Sequence, residues 1–300
     1  MRVRRQSRLA MALLVLGSIA AGAAPELVRC NTALDRGDFA AAARDAQAYV
    51  KLHPESAEAH VILARAEMGL NNAPAALNQL HAALRREPGN VDALYYLSKL
   101  ADVLSHQEFM ALARMAPDSA RVHQLQADGF AAQGKEAEAE REYLAALERR
   151  PGTPAILNGL GELNRQEKKY TEALEWYGKV LEKYPSNYDA LYGSGACYLR
   201  LQEAEKSVRL FRAALQADPS SVAAKMALGE ALLSTGKAAE ALPLLEGVAA
   251  YDPKLRRLQF LLARAYKETG RDADAKRAQD RYRELAAQEE EETGNPESTP

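Results

Sequence analysis

Prolines punctuate this chain at a fixed interval. Pro54 and Pro88 stand 34 residues apart, and Pro117, Pro151, Pro185, Pro219 and Pro253 continue at that spacing after one shortened interval of 29. Self-similarity at such a period restricts the fold to a stack of like units, each burying its apolar side against its neighbours. Two residues after the first six prolines stands a helix N-cap type: Ser56, Asn90, Ser119, Thr153, Asn187 and Ser221. A side-chain oxygen at that position accepts from a first-turn N–H and contributes about 1 kcal/mol. Proline closes one helix and the cap opens the next. Pro253 is followed by Leu255 and departs from the rule.

Within each unit the apolar spacing is helical. Leu191, Gly195 and Tyr198 share one face, and after a short turn Ala204, Val208, Phe211 and Leu215 share another. Each unit is therefore expected to be two antiparallel helices, A and B. Alanine and leucine dominate and aromatics are only 6% of residues, a mix that favours helix throughout. The eighth residue of helix A is small in every copy: Ala64, Ser98, Ala127, Gly161, Gly195, Gly229 and Ala263, with Cys30 in the first unit. The twentieth is alanine at Ala42, Ala76, Ala139, Ala173, Ala241 and Ala275, with Ser207 as a departure. Positions that stay small mark close helix crossings.

These residues resemble the tetratricopeptide repeat family. "ILNGLGELNRQEKKYTEALEWYGKVLEKYP" follows its pattern of Leu-Gly in helix A, Tyr-x-x-Ala in helix B, an aromatic and a closing proline, and "KMALGEALLSTGKAAEALPLLEGVAAYDP" follows it nearly as well. The resemblance covers about Leu27 to Leu285. It implies an all-α fold, an α-solenoid of about seven helix pairs wound into a superhelix whose concave groove is lined by helix A. The first unit is expected to lack most of its helix A, and the third, Val91 to roughly Ala116, to be degenerate. Tyr170, Tyr177 and Tyr198 fall where the family places packing aromatics, so the aromatic crowding between Tyr170 and Arg200 is mainly core. Tyr192, the fifth residue of its unit, is expected in the groove.

Both ends stand apart from the repeats. "MRVRRQSR" carries four arginines and no acid, and the apolar run Leu9 to Ala21 precedes Ala21-Gly22-Ala23, a small-residue cleavage site. This is the three-part layout of a bacterial export signal. Residues 1–23 are therefore expected to be a cleaved signal peptide or, alternatively, a short membrane anchor; the run falls below the roughly 20 residues that span a bilayer. The protein is expected to be exported and periplasmic, or anchored in the inner membrane facing the periplasm. The repeats are expected over 24–286 and an acidic disordered tail over 287–300, where no large apolar residue occurs.

The formal charge of −2 provides no basic field for nucleic acid. No phosphate loop, nucleophile elbow or His-Glu-x-x-His pair occurs, and the five histidines lie scattered over different units. The chain is read as a non-enzyme without cofactor or metal, touching a membrane only through its N-terminal segment. Cys30 and Cys197 are too far apart in the stack to pair. The groove positions of the repeats supply the candidate site: Arg65, Tyr95, Lys99, Gln124, Asn158, Arg165, Tyr192, Phe260 and Arg264, with Arg121, Asp128, Glu162, Asp189, Glu230 and Arg257 beside them. Mixed charges with a few aromatics suit a peptide or protein partner better than a small ligand. The resemblance implies a protein-binding adaptor in a cell-envelope process. The alternative is a membrane-anchored subunit of a larger envelope assembly for secretion, pili, cytochrome maturation or outer-membrane biogenesis.

Overall fold

The computed structural model describes residues 24–293; the expected export signal, residues 1–23, and residues 294–300 lie outside the described residues. Among the described residues there are fifteen α-helices and no strand. The pairs are α1 (Pro25–Asp35) with α2 (Phe39–Leu52), and α3 (Ala57–Gly69) with α4 (Ala73–Arg86). A single helix follows, α5 (Val91–Met115), before α6 (Ala120–Ala132) pairs with α7 (Glu136–Arg149) and α8 (Pro154–Gln166) with α9 (Tyr170–Lys183). The series closes with α10 (Tyr188–Arg200) and α11 (Ala204–Ala217), α12 (Val222–Ser234) and α13 (Ala238–Tyr251), and α14 (Arg256–Glu268) and α15 (Asp272–Thr293).

The chain divides into two compact units, Met1–Ala111 and Leu112–Pro300, with the boundary inside α5. The shortened proline interval thus holds one 25-residue helix where the other units hold a hairpin. That interval is five residues shorter than its sisters, too short for two full helices and the turn between them. Each hairpin turns through one left-handed residue: Gly37, Asn71, Gly134, Lys168, Gln202, Gly236 and Gly270. In the stretch "ADVLSHQEF" no residue takes that conformation, and the helix runs on through it.

Five of the six expected caps form. Ser56, Asn90, Ser119, Asn187 and Ser221 each accept from the N–H three residues on, at 2.8–3.3 Å. Thr153 does not; its hydroxyl instead donates back to the Arg150 carbonyl at 3.0 Å. At the chain ends two boundaries move. α1 has eleven residues against thirteen in α3, so the first pair keeps most of its helix A. α15 continues through the acidic run to Thr293, past the expected end of the repeats at 286.

The small eighth position has a specific cause. A Cβ on Gly161 would meet the Tyr177 ring at 2.6 Å, one on Gly195 the Phe211 ring at 2.9 Å, and one on Gly229 the Leu245 side chain at 2.6 Å. In each pair a large helix-B side chain lies flat on the helix-A backbone. Tyr177, Phe211 and Leu245 are all essentially inaccessible. Ser207, the departure among the alanines, is also fully buried, and its hydroxyl donates to the Gly195 carbonyl at 2.9 Å. That bond meets the cost of burying a hydroxyl. Cys30 and Cys197 are free, buried thiols. Burial pushes the Cys197 thiol up to about 11, so its unreactive protonated form prevails at neutral pH.

Candidate partner-binding groove

In the second unit the A helices are α6, α8, α10, α12 and α14. Each touches the next A helix, whereas successive B helices do not touch. The A helices therefore line the inner, concave side of this unit. The residues that face outward from that side come from the second, fifth, ninth and twelfth positions. Ninth and second positions of successive A helices meet in one cleft: Glu162 with Asp189, for example, and Glu230 with Arg257.

The sequence-predicted residues of this unit take distinct roles. Gln124 accepts from Arg121 at 2.9 Å. Asn158 donates to the Asn187 side chain at 3.0 Å. Arg165 grips Glu162 through two bonds, 2.8 Å from Nε and 2.5 Å from Nη2. The Glu162 carboxylate also accepts from Gln166 at 3.0 Å and Tyr177 at 3.2 Å. Burial is the largest single influence on Glu162 and raises its pKa, but the Arg165 bonds and charge with the two further donors outweigh it and leave the carboxyl below its ordinary value. The same contact, led by the Glu162 hydrogen bond, raises the Arg165 guanidinium.

Tyr192 is more enclosed than its position suggested. It is half-buried, stacked on Tyr188 at 5.9 Å and tilted against Phe211 at 5.4 Å. It serves as the partition between two clefts. One holds Asn158, Gly159, Glu162, Tyr177, Asp189 and Gly193; the other holds Ala223, Met226, Ala227 and Arg257. Phe260 is exposed, with its ring 6.1 Å from Tyr282. Arg264 donates to the Leu233 carbonyl at 2.8 Å and to Glu268 at 2.7 Å.

The first unit carries Arg65, Tyr95 and Lys99. Arg65 donates to Asn31 at 2.9 Å, and its guanidinium lies 5.2 Å above the Tyr96 ring. Tyr95 is exposed, edge-on to Tyr96 at 5.1 Å, with Lys99 5.7 Å from its ring. The sequence reading placed all nine residues in one groove; they fall in two compact units, three in the first and six in the second.

Two contributions escaped the sequence reading. Tyr177, assigned wholly to the core, also lines a cleft, and its hydroxyl bonds Glu162 there. His60, His123 and Gln259, each six residues beyond a repeat proline, act as braces. His60 bonds the Pro54 carbonyl at 3.0 Å and Gln79 at 2.7 Å, and Gln259 donates to the Pro253 carbonyl at 2.9 Å. His123 sits between Asp118 at 3.2 Å and Glu142 at 2.7 Å. The shared offset of six from each proline was the available signal. Among the described residues no group of three His, Cys, Asp or Glu is placed to hold a metal, and no helix is long and apolar enough to cross a membrane.

Comparison with curated proteins gives no match. Among solved structures, MamA 41-end from Desulfovibrio magneticus RS-1 is 20% identical, with 57% of this chain and 96% of that one covered and a TM-score of 0.50. The RS-1 MamA ArsTM double mutant is 19% identical over 57% of this chain and 96% of that one, with a TM-score of 0.52. A tetratricopeptide repeat protein from Parabacteroides merdae ATCC 43184 is 21% identical over 77% of this chain and 79% of its own, with a TM-score of 0.48. At these identities the likeness to the two MamA structures concerns the fold. The sequence itself matches tetratricopeptide repeat models over residues 27–74, 63–120 and 125–187, and again over 164–227 and 232–292. One such model alone accounts for more than half of the residues, and the chain belongs to the tetratricopeptide repeat family.

Proposed function

We propose that this protein is a non-enzymatic adaptor that holds an extended peptide segment of a partner against the A-helix groove of its second unit, in a cell-envelope process. Repeat arrays of this family are protein-binding scaffolds, and the fold here follows that plan. The carrying observation is the partition of side chains across each pair. Apolar residues fill the space between A and B helices, while the inner face presents polar side chains and two open clefts on either side of Tyr192. Open clefts along a row of helices suit a chain lying across them better than an enclosed small molecule. The export reading rests on the arginine-rich start, apolar run and small-residue site of residues 1–23.

Photo-crosslinking tests the groove. A benzophenone amino acid at Phe260, exposed on α14, is expected to capture a partner in cells, and one at Leu144, exposed on helix B of an earlier pair, is not. Capture from Leu144 and not from Phe260 would move the binding face to the outer side and defeat the proposal. N-terminal sequencing of the mature protein tests the export reading: a start near Ala24 supports cleavage, and retention of Leu9 to Ala21 supports the anchored subunit.

A further inference from the structure

We propose that the cleft between α8 and α10 receives a basic side chain, lysine or arginine, of the extended partner, and that the adjoining cleft between α10 and α12 receives an apolar one. This inference rests on the groove being the binding face.

Charge across the rungs carries the argument. The ninth residue of one A helix and the second of the next line a common cleft. Between α3 and α5 these are Arg65 and Asp92, of opposite sign, and the Arg65 guanidinium already lies within that cleft against Asn31 and Tyr96. Between α12 and α14 they are Glu230 and Arg257, joined by an ion pair. Between α8 and α10 they are Glu162 and Asp189, of the same sign. Arg165 neutralises Glu162 from within α8, and Asp189 has no hydrogen-bond or ion-pair partner among the described residues. Its place in the first turn of α10 is favourable for an acid, yet both carboxylate oxygens stay available.

The neutral groups add to the surplus of acceptors. Asn187 Oδ1 caps α10 by accepting from the Ala190 N–H at 2.9 Å, so it is fixed as an acceptor. Asn158 must then turn its Nδ2 towards Asn187, which settles the orientation of the Asn158 amide. Its Oδ1 is left buried without a donor. Tyr177, the one hydroxyl in the cleft lining besides Tyr192, already donates to Glu162. The cleft, of about 330 Å³, thus offers a free carboxylate beside the Tyr192 ring. A guanidinium or ammonium group supplies the donors and the charge that the Asp189 carboxylate lacks, and an aromatic wall favours it further. An acidic side chain would face Asp189 and be repelled.

On the other side of Tyr192 the matching rung is Ala196 with Ala223, without charge, and the cleft of about 200 Å³ is lined by Ala223, Met226 and Ala227, with Arg257 already bound to Glu230. Neighbouring helix axes lie roughly 8–10 Å apart and an extended chain advances about 3.3 Å per residue, which sets the basic and apolar side chains two or three residues apart.

Selection of a random phage-displayed peptide library on the immobilised full chain tests this. Enriched peptides should carry Lys or Arg with an apolar residue two or three positions away. Synthetic versions should bind about tenfold more weakly to Asp189→Arg, which supplies the rung with its own cation, and also lose affinity on Asp189→Asn. Glu148→Arg makes the same charge change on an exposed B-helix site and should leave affinity unchanged. Circular dichroism spectra of all three variants should match the parent, with only a small fall in melting temperature for the two Asp189 variants, which lose the first-turn acid of α10. Enriched peptides without a basic residue, or binding insensitive to Asp189→Arg, or weakened equally by Glu148→Arg, would overturn this inference while leaving the groove reading intact. Enrichment of no peptide would overturn both.

Discussion

The hydroxyl of Tyr177, a buried side chain of α9, donates to Glu162 in the groove of α8 at 3.2 Å, and 34 residues earlier Tyr143 repeats the bond to Asp128 at 2.5 Å. One ring thereby serves two layers. Its carbons lie on Gly161 and Gly193, whose added Cβ atoms would clash with it, and its oxygen steadies a carboxylate that faces solvent. Burial, with the neighbouring acid, raises both phenols far above the ordinary range, so they act only as donors. Tyr177→Phe keeps the ring and removes the donor. It should cost about 1 kcal/mol of stability by chemical denaturation. A loss of several kcal/mol would mean that the hydroxyl holds more than Glu162.

Acid should weaken the fold in a defined direction. The Asp118 carboxyl is held below its ordinary value by its hydrogen bonds to Arg149 and His123, and Glu162 is depressed on balance by Arg165. A carboxyl depressed in the folded state contributes stability that is fully present above its unfolded pKa, about 4, and is lost as pH falls through the folded value. Melting temperature should therefore decline below about pH 4, and Glu162→Gln should flatten part of that decline. Identical acid slopes for parent and variant would show that the Glu162 contacts add nothing to folding.

The crossing between α10 and α11 admits no added side chain. Gly195→Leu would drive into the Phe211 ring, whose nearest atoms would lie 2.9 Å from the first added carbon. Overpacking of this kind should cost roughly 1–3 kcal/mol. A thermal melt indistinguishable from the parent would refute the close approach.

Three turns carry side chains where their sister turns carry glycine, at Asn71, Lys168 and Gln202, and only the first of these is a residue type that takes the left-handed conformation readily. Lys168 and Gln202 each adopt φ of 62°, matching Gly134 at 66° and Gly236 at 72°. A left-handed conformation costs an ordinary residue about 1–2 kcal/mol, and glycine returns about 0.5–1 kcal/mol of that as chain entropy. Lys168→Gly and Gln202→Gly should each stabilise the protein by about 0.5 kcal/mol, and Gly236→Ala should destabilise it by about 1 kcal/mol, as read in denaturant midpoints. Destabilisation by both glycine variants would show that those two side chains contribute more than their turns cost.

Much of this architecture could be read before any coordinates. Prolines every 34 residues, caps two residues later and an invariantly small eighth position are local requirements of helix ends and helix crossings, and the side chains that meet them are visible one at a time. The seven hairpins and the family follow from those signals. Tertiary structure decided what depends on partners elsewhere in the chain. Thr153 has the right chemistry for a cap, but its hydroxyl is taken by the Arg150 carbonyl. The unit between Pro88 and Pro117 kept a repeat's boundaries, but in its shortened length no residue turns left-handed and one helix runs through. Tyr192 sits at a groove position, yet Phe211 and Tyr188 cover half of it. The sign of a cleft is likewise a property of pairs: Glu162 and Asp189 are 27 residues apart, and only the seating of α8 against α10 makes them face the same space. Sequence pattern governs what each residue can do with its own helix, while contact across helices selects which of those capacities is used.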